Sequence, residues 1–178
     1  MWNKKFPDLY QGDIREMERF FPNFKPLFSD DGRLDGWEGT VKPVPSHEDF
    51  ILRINYSENY PQQMPKARVV SPDIFFLYYQ GGRPNTHPHF NFDGTICPLF
   101  PPDKTWVAGK DSIAKYIGHC CVWLIGHLYW NEFGKWPLSE APHEPRHLFY
   151  LMNGKDPCYC GSGKYYRDCH RKRDKKLI

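Results

Sequence analysis

Between Ser71 and Trp106 the chain is crowded with proline, glycine and aromatic residues. A stretch that long without regular pattern is rare inside a compact domain unless function keeps it there. The regular structure must then come from its flanks. Upstream, Ile14, Met17, Phe20 and Phe21 recur among charged residues at helical spacing, and Pro22 ends the pattern. Ser29-Asp30-Asp31-Gly32 reads as a turn. Residues 37–44 and 50–56 alternate in part and hold β-formers, and Arg68-Val69-Val70 makes a third short strand between Pro65 and Pro72. Downstream, the spacing of Ile113, Tyr116, Ile117, Cys120, Cys121, Leu124, Ile125 and Leu128 predicts the longest helix over residues 111–129, backing the irregular segment. A loop over 131–143 and a last short helix over 145–152 follow, and Asn153-Gly154 is a stop signal. One helix followed by antiparallel strands predicts an α+β fold, with a main domain over 1–153 and a small appendage over 154–178.

A chain of 178 residues with 40% apolar and 17% aromatic content can fill a core, which excludes general disorder. No apolar run approaches membrane-spanning length, and the N-terminus lacks the apolar segment of a secretory signal, so the expected location is cytoplasmic, with no membrane partner. The six cysteines are one in the irregular segment, an adjacent pair, and three near the C-terminus. This distribution suits thiol and metal chemistry in a reducing compartment, and no structural disulfide is expected. The net charge of +3 conceals an asymmetry, because residues 155–178 carry eight Lys/Arg against three Asp. Nucleic-acid contact would belong to this basic tail, but no stacking platform accompanies it, so the tail is read as a solvated, flexible end and nucleic acid is not an expected partner.

His87 and Pro88 stand at an H-P-x8-C interval from Cys97, with Gly94 and Pro98 shaping the loop around the thiol. This segment resembles the active-site loop of E2 ubiquitin-conjugating enzymes, where His-Pro-Asn leads at the same interval to a thioester-forming cysteine. Trp37 and Gly39, Tyr60-Pro61, Pro65 and Trp106 fall in that family's order, and the resemblance covers roughly residues 10–140. It implies a UBC-like fold and a catalytic Cys97. The family's Asn is replaced by His89, which either donates to the oxyanion of the tetrahedral intermediate through a ring nitrogen or holds the loop. The resemblance gives His87 a loop-organising role, and His143 is a further histidine that could approach the site. Cys120 and Cys121 point about 100° apart on a helix, so at most one of them can face the pocket of Cys97, and both are read as core filling.

Cys158, Cys160, Cys169 and His170 form a C-x-C-x8-C-H pattern. Three thiolates and an imidazole make a closed tetrahedral Zn²⁺ set, and a segment this short needs the metal to fold. The segment resembles the SEC-C motif, including the Gly161-Ser162-Gly163-Lys164 run between the ligand pairs. A UBC-like domain combined with this motif resembles the E2 components of CBASS antiphage operons. That resemblance implies an enzyme that carries the C-terminus of a ubiquitin-like partner, a cGAS/DncV-like nucleotidyltransferase, as a thioester on Cys97 and passes it to a target protein or a small-molecule amine. Two alternatives stay open: a non-catalytic UBC-like adaptor, and a cysteine hydrolase that removes conjugates. The chain has no Gly-rich phosphate loop after a strand, so activation of the carried group falls to a partner or is absent.

Overall fold

A computed structural model describes residues 2–79 (the backbone alone at 77–79), 89–91, 93–99, 106–137, 149, 152–156, 158 and 162–176. The chain opens with a helical turn, α1 (Trp2–Lys5), and a helix, α2 (Pro7–Phe20). α2 starts well before the expected Ile14. Pro7 occupies its first turn, where a missing N–H costs nothing, and Leu9 and Tyr10 extend the apolar stripe toward the N-terminus.

Four strands follow: β1 (Lys25–Phe28), β2 (Leu34–Val41), β3 (Phe50–Asn55) and β4 (Lys66–Ser71). They pair in sequence order as one antiparallel sheet, with Trp37 opposite Ile54 and Leu52 opposite Val69. β2 stops at Val41 rather than Val44, because Pro43 has no N–H to give the ladder. Alternation along β3 and β4 turns Phe50, Leu52, Ile54, Ala67 and Val69 inward. Outward, Arg53 pairs with Glu38 at 2.6 Å.

α3 (Ile74–Tyr79) lies inside the stretch read as irregular, and the side chain of Asp73 caps it by accepting from the Phe76 N–H at 3.0 Å. The long helix α4 (Ile113–Phe133) is capped by Ser112 and runs past Tyr129 to Gly134, whose φ of 66° closes it in the left-handed conformation. Ile113, Tyr116, Ile117, Cys120, Trp123 and Leu124 of α4 share one core with the inner face of the sheet. Asp13 fastens α2 to both: its carboxylate accepts from the Ile113 N–H at 3.1 Å, the Tyr60 hydroxyl at 2.9 Å and the Tyr56 hydroxyl at 3.3 Å.

The helix expected over 145–152 falls mostly outside the described residues. The basic tail is not the flexible end expected. A 3₁₀ turn, Tyr166–Asp168, leads into a short helix, Arg171–Lys175, and the buried Tyr166 hydroxyl donates to the buried Asp174 at 3.0 Å. Cys97, Cys120 and Cys121 are free thiols. Among the described residues, no helix is long and apolar enough to cross a membrane.

Candidate active site and metal cluster

Cys97 ends a short antiparallel ladder. Its N–H donates to the His89 carbonyl at 3.0 Å, Ile96 bridges Phe90, and the Asn91 N–H donates to the Thr95 carbonyl at 2.8 Å. Asp93 and Gly94 make the turn, Gly94 at φ 77°. A Cβ at Gly94 would lie 3.0 Å from the Phe75 ring, so both angle and space reserve the position for glycine. The Ile96 N–H donates to the Ala67 carbonyl at 2.9 Å, docking the ladder on the free edge of β4. Phe90 lies 5.5 Å from Phe75 of α3 and 5.2 Å from Trp123 of α4. The loop that presents the thiol is thus held by the sheet and by both helices.

The surrounding walls are aromatic. The Trp106 indole N–H donates to the Pro61 carbonyl at 3.0 Å, and its ring lies 5.9 Å from Tyr60 and 6.2 Å from Tyr116. His89 is buried, with its ring centroid 4.1 Å from that of Trp136. Gly126 of α4 makes room for this packing, since a Cβ there would fall 2.8 Å from the Trp136 ring. The Cys97 thiol is half-buried and donates to the Leu99 carbonyl at 3.5 Å. Burial pushes its pKa up. The Tyr116 hydroxyl is raised well above its usual range, first by burial and then by the neighbouring Cys120 and Cys97 thiols. Burial of this kind keeps the thiol protonated at rest.

Of the residues singled out in the sequence, Cys97 and His89 are joined through the backbone, whereas His87 and His143 lie outside the described residues. Cys120 is wholly buried in the core and burial raises it well above the usual thiol range, while Cys121 is half-buried. Sequence reasoning passed over Trp136 as a loop residue and missed the polar fastenings around Asp93. A glycine in mid-helix at position 126 and the Asp93-Gly94 pair were the available signals.

The second cluster is C-terminal. The ligand atoms of Cys158, Cys169 and His170 lie within 4.8 Å of one another, and both sulfurs stand 3.1 Å from His170 Nδ1. Cys160, the fourth expected ligand, lies outside the described residues. Two thiols and an imidazole converging this closely fit a borderline-soft divalent ion such as zinc. The frame is local: the Cys158 N–H donates to the Lys164 carbonyl at 2.8 Å, and the Asp174 N–H to the His170 carbonyl at 2.9 Å.

The family model of the type II CBASS E2 protein matches residues 13–144, from the buried carboxylate of α2 through the Cys97 ladder and past α4. Among solved structures, human ubiquitin-conjugating enzyme E2 G1 is similar at 17% identity and a TM-score of 0.45, over 66% of this chain and 92% of that one. No curated protein matches the sequence. By the family match, which spans most of its length, this chain belongs to the type II CBASS E2 proteins.

Proposed function

We propose that the chain works in CBASS as a thioester carrier, with Cys97 as the nucleophile. The supporting observation is the Cys97 ladder itself: a thiol on a loop fastened to β4 and walled by aromatic rings, inside the span matched by the family. The carried group is the C-terminus of a ubiquitin-like partner, a cGAS/DncV-like nucleotidyltransferase, delivered as a thioester of an activating partner. The Cys97 thiol gives up its proton, and its sulfur attacks the thioester carbonyl. The tetrahedral intermediate then collapses with departure of the donor thiolate, so one C–S bond forms and one breaks. An amine of the target protein or a small molecule next attacks the same carbonyl. It loses a proton to form the amide, and the Cys97 thiolate leaves. In both steps His89, held by Trp136, donates to the oxyanion.

Residues 154–178 make a separate SEC-C-type module in this reading, with Cys158, Cys160, Cys169 and His170 on a zinc ion. Four protein ligands leave no open coordination position, so the metal supplies folding free energy to the module and takes no part in transfer.

Non-reducing electrophoresis of the protein expressed with its operon neighbours tests this. A reductant-cleavable adduct is expected in wild type and in Cys120→Ala and Cys121→Ala, and none in Cys97→Ala. Cys97→Ser should give either a thiol-resistant oxyester or no adduct. An adduct that survives Cys97→Ala and disappears from a folded Cys120→Ala or Cys121→Ala would move the site to α4. The raised pKa of Cys97 is the observation that favours the adaptor alternative, which predicts no adduct in any variant. A hydrolase would consume an isopeptide-linked substrate without accumulating one.

A further inference from the structure

The side chain that does most to fix the Cys97 ladder in place is Asp93. Its Oδ1 accepts from the Thr95 N–H at 3.0 Å and from the Thr95 hydroxyl at 2.5 Å. Oδ2 faces Lys66 Nζ at 2.9 Å, and the Asp93 carbonyl accepts from the Arg68 guanidinium. Thr95 in turn accepts from the Asn91 side-chain amide at 2.9 Å, which spans the two arms of the ladder. One residue therefore closes the turn, locks the arm that leads to Cys97, and ties both to two outward-facing cations of β4. The opposite side of the ladder rests on apolar contacts between Phe90 and the rings of Phe75 and Trp123, which resist separation but not sliding.

We infer that Asp93 is a positioning residue for the Cys97 thiol, acting through Thr95. The inference rests on the thioester reading for its consequence in transfer, but not for its geometry. The carboxyl sits low, at about 2: burial opposes this, and the hydrogen bonds from Thr95 and Lys66 outweigh it, so the fastening stays charged at any working pH. Releasing it should have two effects of opposite sign. A looser ladder exposes the half-buried thiol, which lowers the pKa that burial had raised and admits small reagents more readily. The same looseness takes the sulfur off the geometry that transfer needs, and a displacement of about 1 Å can cost roughly 10²-fold in rate.

The experiment measures two rates on the full-length, metal-loaded protein. These are alkylation of Cys97 by iodoacetamide, read by peptide mass spectrometry, and transfer of the carried group to an amine. In Asp93→Ala, alkylation should speed up several-fold while transfer falls by roughly 10-fold to 10²-fold. Asp93→Asn keeps an acceptor for Thr95 and should recover most of both rates, and it remains informative if the alanine variant folds poorly. Lys66→Ala removes only an exposed ion pair and should stay near wild type. A general loss of stability would also open the thiol and slow transfer, so the inference requires the opposed pattern at a melting temperature close to that of wild type. If both rates stay at wild-type values in Asp93→Ala, or move in the same direction, the inference is overturned. A wild-type protein that never forms an adduct would sink the thioester reading instead, while alkylation would still report whether Asp93 holds the thiol.

Discussion

Cys97 hangs on a ladder whose flanks reach a core running from Met17 of α2 to Trp136 beyond α4, whereas Cys158 and Cys169 belong to a cluster whose buried apolar residues, among those described, are Met152, Cys158 and Tyr166. In the first region burial is plentiful, and the polar network around Asp93 only sets where one sulfur sits. In the second, the apolar residues described as buried are few, and two thiols and an imidazole converge beside them. The two regions show that a cysteine's chemistry follows from what holds it. In the proposed reading, the thiol backed by the larger core reacts, and the thiols that converge beside the smaller one hold metal.

The largest effect expected is therefore loss of the C-terminal ligands. Cys158→Ser with Cys160→Ser should abolish the one zinc per chain measured by elemental analysis and unfold residues 154–176, because structural zinc contributes on the order of 10 kcal/mol to such segments. The body should keep its cooperative melting. All six tryptophans precede residue 137, so their fluorescence follows the body alone. Full zinc retention in the double variant would mean that the ligand set is wrong, and a body that melts with the segment would erase the contrast between the two regions.

A smaller effect is expected at His89, where the proposed role can be separated from packing. Replacing it by Ala removes both the ring packed against Trp136 and the proposed oxyanion donor, and transfer should slow by about 10²-fold, the low end for loss of such a donor. Replacing it by Asn, the usual E2 residue, should leave transfer within about an order of magnitude even though the ring contact is gone. If both variants slow transfer equally and both lower the melting temperature, His89 is a wall of the pocket and not a donor.

How much of this was legible depended on whether the signal was local. The interval from His87 to Cys97 singled out the candidate thiol, partial alternation marked β2 and β3, and Arg68-Val69-Val70 between two prolines marked β4, because all of these are written in neighbouring residues. β1 was missed because Lys25-Pro26-Leu27-Phe28 is short, sits at the sheet edge, contains a proline and is half exposed, so no alternation marks it. α3 was missed because six consecutive apolar and aromatic residues carry no helical periodicity. The C-x-C-x8-C-H spacing anticipated the convergence of Cys158, Cys169 and His170, but it said nothing of Tyr166 and Asp174, whose buried hydrogen bond joins the 3₁₀ turn to the terminal helix. Contacts such as Trp136 on His89 and Asp13 on Ile113 join residues far apart in sequence, and no local pattern encodes them.

Asp13 offers the subtlest test, because it asks whether a buried charge in the body behaves as apolar surroundings dictate. Burial pushes its carboxyl up to about 6, against the hydrogen bonds from Ile113, Tyr60 and Tyr56, and nearby Glu16 pushes the same way. His127, buried against Trp123 and Phe50, is held down at about 4 by burial. The two act with opposite sign. A carboxyl raised from ~3.9 to about 6 favours the folded state most at low pH, and that contribution is lost as pH rises through 6. An imidazole depressed from ~6.5 to about 4 favours it most above 6.5, and that contribution is lost as pH falls toward 4. Each amounts to about 3 kcal/mol, so wild type should show nearly flat body stability between pH 4 and 6. Asp13→Asn should unmask His127, making urea stability of the body fall on acidification through this window. His127→Gln should unmask Asp13 and make it rise. Tryptophan fluorescence keeps the readout on the body, away from acid release of metal at the C-terminus. Identical slopes in the two variants would mean that neither group titrates across the folding transition, and that the polar partners of Asp13 outweigh its burial.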